Sequence, residues 1–101
     1  MTLKGADLQE ASLKWAQLHR ANLQAASLKG AVLNQAELQG AILDVADLQG
    51  AILSGANLQA ATLKGAILNG ADLQGAMADA ETVWPDGFDP TTKDIKTIPN
   101  G

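Results

Sequence analysis

His19 is the only histidine in a chain of 101 residues that has no cysteine at all. One imidazole without thiolates or a second histidine cannot complete a transition-metal ligand set. It directly follows Leu18, in a slot where a solvated surface role is expected. The carboxylates Asp7, Glu10, Glu37, Asp44 and Asp47 are scattered singly along the chain. General acid–base work needs such groups paired and buried, with their proton affinities pushed apart. Glycines recur at five-residue intervals, as at Gly30, Gly40, Gly50 and Gly55, and match no phosphate-binding fingerprint. Serines such as Ser12, Ser27 and Ser54 have no base beside them in the sequence. The expectation is therefore no enzyme, no catalytic residue, no metal and no cofactor.

The bulk composition sets the materials available to position any site. Hydrophobic residues make up 47% of the chain but aromatics only 3%, namely Trp15, Trp84 and Phe88. Its core must be built from leucine and alanine. One domain is expected at this length. Met1 leads straight into the repeat with no secretory signal pattern, and no apolar run approaches the roughly 18 residues of a membrane span. The expected setting is soluble and cytoplasmic, with no membrane partner. Charge is uneven: Lys4, Lys14, Arg20 and Lys29 against Asp7 and Glu10 leave residues 1–30 at +2, whereas residues 31–89 stand at −7. Ordinary solvation accounts for this, as does one end that attracts anionic partners.

A repeat dominates everything else. Leucine occupies every fifth position from Leu3 to Leu73, and alanine every fifth from Ala6 to Ala76, fifteen of each with no insertion. On a helix this period sprays the leucines around the cylinder, and on a flat strand it sends alternate leucines to opposite faces. Within a unit, alanine and leucine stand two apart and share a face. Keeping every pair on that face requires a turn in each unit, and a chain that turns repeatedly in one sense stacks into a solenoid. Glycine two residues after the leucine, as at Gly5, Gly30 and Gly65, marks the corner. Glu10, Trp15, Arg20, Gln35 and Val45 in the same slot imply that its side chain points outward. Asp, Asn, Ser or Thr before the leucine suits local side-chain hydrogen bonds.

The units Ala6-Asp7-Leu8, Ala21-Asn22-Leu23, Ala46-Asp47-Leu48, Ala56-Asn57-Leu58 and Ala71-Asp72-Leu73 resemble the A-[D/N]-L-x-x unit of pentapeptide repeat proteins. The resemblance covers residues 1 to about 80. It implies an all-β solenoid, a right-handed, quadrilateral parallel β-helix with four pentapeptides per coil. Residues 1–80 would then form about four coils, with residues 81–101 as a C-terminal capping segment and tail. Handedness and number of sides come from the resemblance alone. The three-sided hexapeptide helix is excluded by the period.

The ends differ. Leucine is due at Ala78, and the frame lapses there. Beyond it Trp84, Pro85 and Phe88 are expected to cover the last coil, with prolines discouraging strand addition. An aromatic pocket is the alternative. Similar Trp-Pro-acidic-Gly-Phe segments follow the repeats in many members of the family. Residues 91–101, with Ile95 and Ile98, read as either a packed or a frayed tail. At the other end Leu3, Leu8, Leu13 and Leu18 form a first coil with no cap, open to a second copy or to a longer solenoid.

Recognition must lie in the outward residues. Columns twenty apart place Val32 and Ile52 side by side, between Ser12 and Asp72, with Trp15 near the bottom of that side. Outward β-branched residues also serve simply as strand formers. The set Trp15, Val32 and Ile52 is the candidate interaction surface, and the expected function is a non-catalytic structural or protein-interaction scaffold with an unidentified protein partner. The alternative is a DNA-mimicking modulator of a type II topoisomerase such as gyrase, a role known in the family. Duplex DNA carries one negative charge per ~1.7 Å of axis. Residues 1–80 hold seven acids against five bases, which argues against mimicry. Direct nucleic acid binding is not expected.

Overall fold

The computed structural model describes residues 1–99, apart from the side chain of Thr92. The last two residues of the expected tail, Asn100 and Gly101, lie outside the described residues. The backbone turns once per pentapeptide. In each turn the alanine N–H donates to the carbonyl of the leucine three residues earlier, as from Ala6 to Leu3 at 3.0 Å. The corner residue between them is left-handed, with φ of 69° at Gly5 and 62° at Val45. A type II turn requires a positive φ at its third residue, which is why glycine predominates there.

Stacking follows from these turns. Parallel bridges join residues twenty apart: Thr2 to Asn22 to Ile42 to Thr62 on the first side, and Asp7 to Ser27 to Asp47 to Ile67 on the second. Ser12, Val32, Ile52 and Asp72 make the third side, and Gln17, Glu37, Asn57 and Met77 the fourth. Twenty residues per coil and four columns give a quadrilateral cross-section. Alanine and leucine point inward, and from Ala21 to Leu63 every one of them is buried. The nine leucines from Leu23 to Leu63 are fully buried and fill the axis of the rod.

The hydrogen-bond ledger of a unit explains its letters. Leucine and corner N–H groups donate forward to the next coil, as Leu23 to Ile42 at 2.7 Å and Ala25 to Asp44 at 2.9 Å. The residue before the leucine donates backward, as Ile42 to Ala21 at 2.9 Å. Alanine closes the turn. That leaves the N–H just after the leucine, and an Asp or Asn before the leucine captures it: Gln49 donates to Asp47 Oδ1 and Gln59 to Asn57 Oδ1, both at 3.0 Å. Asp7, Asn22 and Asp72 do the same for Gln9, Gln24 and Gln74. Buried or half-buried backbone groups need such partners, so the A-[D/N]-L pattern completes the unit.

The ladder does not stop at residue 80. Thr62 bridges Val83, one residue later than the period, and strand β1 (Met77–Asp79) pairs in parallel with β2 (Lys96–Ile98). The tail from Lys96 to Ile98 is thus docked as a strand, and Ile95 packs on the core. A 3-10 turn, Pro90–Thr92, lies between. No helix is long and apolar enough to cross a membrane.

Candidate functional site

Two outward apolar groups and the two ends of the rod are where side chains depart from the requirements of the repeat. On the third side, the bridge from Val32 to Ile52 sets these two residues side by side, with Ser12 below and Asp72 above. Val32 is half-buried, Ile52 is 38% exposed, and Trp15 at the adjoining corner is 65% exposed. Trp15 holds φ of 67°, a backbone conformation that disfavours any bulky side chain. The structure therefore puts Val32 and Ile52 together on one face and Trp15 at the edge of that face.

A second apolar group was not assembled by sequence reasoning. Ile42 lies on the first side, Val45 at the corner that follows it in the same coil, and Val83 at the top of the Ile42 column. All three are exposed, Val45 at 60%. The one-residue offset between Thr62 and Val83 hides the column from any count in fives. Pairing a face residue with the next corner, three positions on, finds Ile42 and Val45, while Val83 stands beyond Thr62 in the same column.

The two ends are built differently. In the first coil Leu3, Leu8 and Leu13 are only partly buried, and Leu18 is 5% exposed. At the far end Trp84 and Phe88 stack with ring centroids 4.9 Å apart, and both pack against the core. Asp79 and Thr82 splice this segment onto the coil. Asp79 Oδ1 accepts the Ala60 N–H at 3.0 Å, the bond that a backbone carbonyl takes elsewhere in the ladder. It also accepts the Glu81 N–H at 3.0 Å. Thr82 Oγ1 accepts the Asp79 N–H at 3.0 Å and donates to the Leu58 carbonyl at 2.9 Å. Thr82 is the buried polar residue among those described.

Chemistry is sparse. Among the described residues no three acids or histidines gather in a way that could hold a metal ion. His19 is exposed and lines an open groove of about 420 Å³ with Arg20, Gln39, Gly40 and Ala60. The Asp89 carboxyl is held below the usual carboxylate range by hydrogen bonds from the Thr91 hydroxyl and backbone N–H, at 2.6 and 3.0 Å. This fixes the start of the 3-10 turn.

The comparisons with known proteins agree with this architecture. The model of pentapeptide repeats, eight copies long, matches residues 2–24, 16–55 and 41–77. The chain belongs to the pentapeptide repeat family. The fold of that family is a right-handed quadrilateral β-helix, and the twenty-residue coils are its coils. Among solved structures, the pentapeptide repeat protein alr5209 from Nostoc Pcc 7120 is 39% identical, with a TM-score of 0.94 over 96% of this chain and 80% of that one. The pentapeptide repeat protein Rfr23 from the cyanobacterium Cyanothece 51142 is 43% identical. There the TM-score is 0.81, over 82% of this chain and 56% of that one. No curated protein matches the chain.

Proposed function

We propose that this pentapeptide repeat chain is a non-catalytic protein-interaction module. Residues 1–80 make four coils, residues 81–101 form a cap and tail around Trp84, Pro85 and Phe88, and its setting is cytoplasmic. The partner contacts the side formed by Trp15, Val32 and Ile52. One observation carries this reading: Trp15 is 65% exposed and left-handed at φ of 67°. Six other non-glycine corners share this left-handed backbone, so it is the large exposed indole, which adds nothing to the core, that points to a use outside the fold. Exposed aromatics beside aliphatic residues are the usual anchors of protein interfaces.

The test replaces Trp15, Val32 and Ile52 with serine and compares what the two proteins capture from the native cell extract. Loss of a specific protein with the rod still folded is the expected result. Identical capture by both would remove this surface. The rival reading, a DNA mimic acting on a type II topoisomerase, lacks a stacked acidic column. On the second side Ser27 separates Asp7 from Asp47, and Ile67 follows. Inhibition of gyrase supercoiling at micromolar protein would favour that rival.

A further inference from the structure

The forward ladder is complete on only part of the last coil. By the rule of the interior, leucine and corner N–H groups donate to carbonyls nineteen residues ahead. At the top of the rod Leu63 donates to Val83, Gly75 to Asp94, and Ala60 to the Asp79 side chain. On the second side the chain departs. Pro85 to Phe88 form a separate turn, closed by the Phe88 N–H on the Pro85 carbonyl at 3.1 Å. Among the described residues, the N–H groups of Leu68 and Gly70 and the carbonyl of Ala66 consequently meet no backbone partner.

These three residues line one side of a cleft of about 660 Å³. Leu73 and Phe88 contribute its apolar surface, and Asp86, Asp89 and Lys93 its charged rim. The cleft thus combines two forward donors, one acceptor, an apolar floor and a rim with more acid than base. An unpaired strand edge of this kind is a template for an added strand.

We propose that the cleft between the second side of the last coil and the Pro85–Asp89 turn binds an extended, basic peptide segment of a partner protein as an added parallel strand. The interior ladder fixes the register. A peptide residue above Ile67 accepts from the Leu68 N–H and donates to the Ala66 carbonyl, and the carbonyl two residues on accepts from Gly70. The residue between these two carbonyls turns inward toward Leu68, Leu73 and Phe88, and so should be leucine-like. The residue before the strand lies over Ala66 and should be small. Lysine or arginine flanking this core faces Asp86 and Asp89.

The test uses the full chain labelled with nitrogen-15 and a blocked synthetic peptide, acetyl-Lys-Ala-Thr-Leu-Lys-Lys-amide. The amides of Leu68 and Gly70 are expected to shift on titration and to exchange with solvent at least tenfold more slowly at saturation. Gly75, already bonded to Asp94, is the internal control. Replacing the peptide lysines with glutamate, or introducing Asp86→Asn, should weaken binding by at least about threefold, as expected for rim charges. No shift at millimolar peptide overturns the proposal. So do equal shifts with acetate alone, which mean an anion site, or shifts that track protein concentration without peptide, which mean a second copy. Shifts confined to the first coil overturn it as well.

Discussion

At the C-terminal end the chain supplies its own next layer on two sides, with Val83 over Thr62 and Lys96 over Met77. At the N-terminal end Leu3, Leu8 and Leu13 stay half-buried, although their unit repeats the one that fully buries Leu43. The same letters give different burial because each layer needs a neighbour on both faces. The two edges also differ in polarity. Each pentapeptide sends two N–H groups forward and one backward. The lower edge therefore offers two carbonyls for each amide, and the upper edge the reverse. An end of this fold is a directional half of a ladder.

The largest effect should come from the splice that closes the upper end. Asp79→Ala removes the acceptor of the Ala60 and Glu81 amides and a longer contact, 3.3 Å, from the Thr82 hydroxyl. Hydrogen bonds to charged groups contribute about 1.5–3 kcal/mol each, so a net loss of roughly 2–3 kcal/mol is expected after solvent competes for these exposed amides. Asp7→Ala in the first coil loses one such bond, from the Gln9 N–H, worth about 1–1.5 kcal/mol with the same discount. Urea denaturation of both variants measures the contrast. Equal losses would mean that Asp79 is an ordinary local turn residue and that the upper end is held by its aromatics.

That splice also marks where the sequence stopped being legible. Fifteen in-frame repeats made the coil readable, because the inward face tolerates little but alanine and leucine. The column of Ser12, Val32, Ile52 and Asp72 was readable only because the family resemblance supplied four pentapeptides per coil, which makes residues twenty apart neighbours. Past Ala78 the period is gone. Nothing in Asp79-Ala80-Glu81-Thr82 announces that a side-chain carboxylate stands in for a ladder carbonyl, because that depends on the edge it meets. The docked strand Lys96–Ile98 carries no repeat motif, so a packed tail and a frayed one looked alike. Corner strain was hidden too. A bulky residue in the glycine slot read as outward, which it is, but seven such non-glycine corners also hold a positive φ.

Edge polarity yields a second, smaller test. Two first coils set head to head bring carbonyl-rich edges together, whereas a preceding coil supplies the missing donors. We infer that the open end is suited to a longer solenoid rather than to a head-to-head dimer. Sedimentation should return a monomer at high micromolar concentration. Duplicating residues 21–40 in frame ahead of Met1 should slow exchange of the Asp7, Ser12 and Gln17 amides about tenfold, some 1.4 kcal/mol of local protection. A dimer that Leu8→Lys abolishes would reverse the inference.

The smallest expected effect compares two corners stacked on one another. Val45 holds φ of 62°, and Gly65, one coil above it, holds 72°. A side chain in the left-handed region costs about 1–2 kcal/mol, with β-branched residues at the upper end. Glycine gives back about 0.5–1 kcal/mol through the freedom it gains in the unfolded chain. Val45→Gly should therefore stabilise the rod by roughly 0.5–1 kcal/mol, read as a higher urea midpoint at unchanged slope. Gly55→Ala should do the reverse, since its Cβ enters both the left-handed region and the space of the Gln35 side-chain amide below. Should Val45→Gly instead destabilise, the valine would be earning its place by contact. Val45 and Ile42 would then be a packed part of the wall, and the first side would lose its standing as an exposed apolar surface, leaving the third side as the one that faces partners.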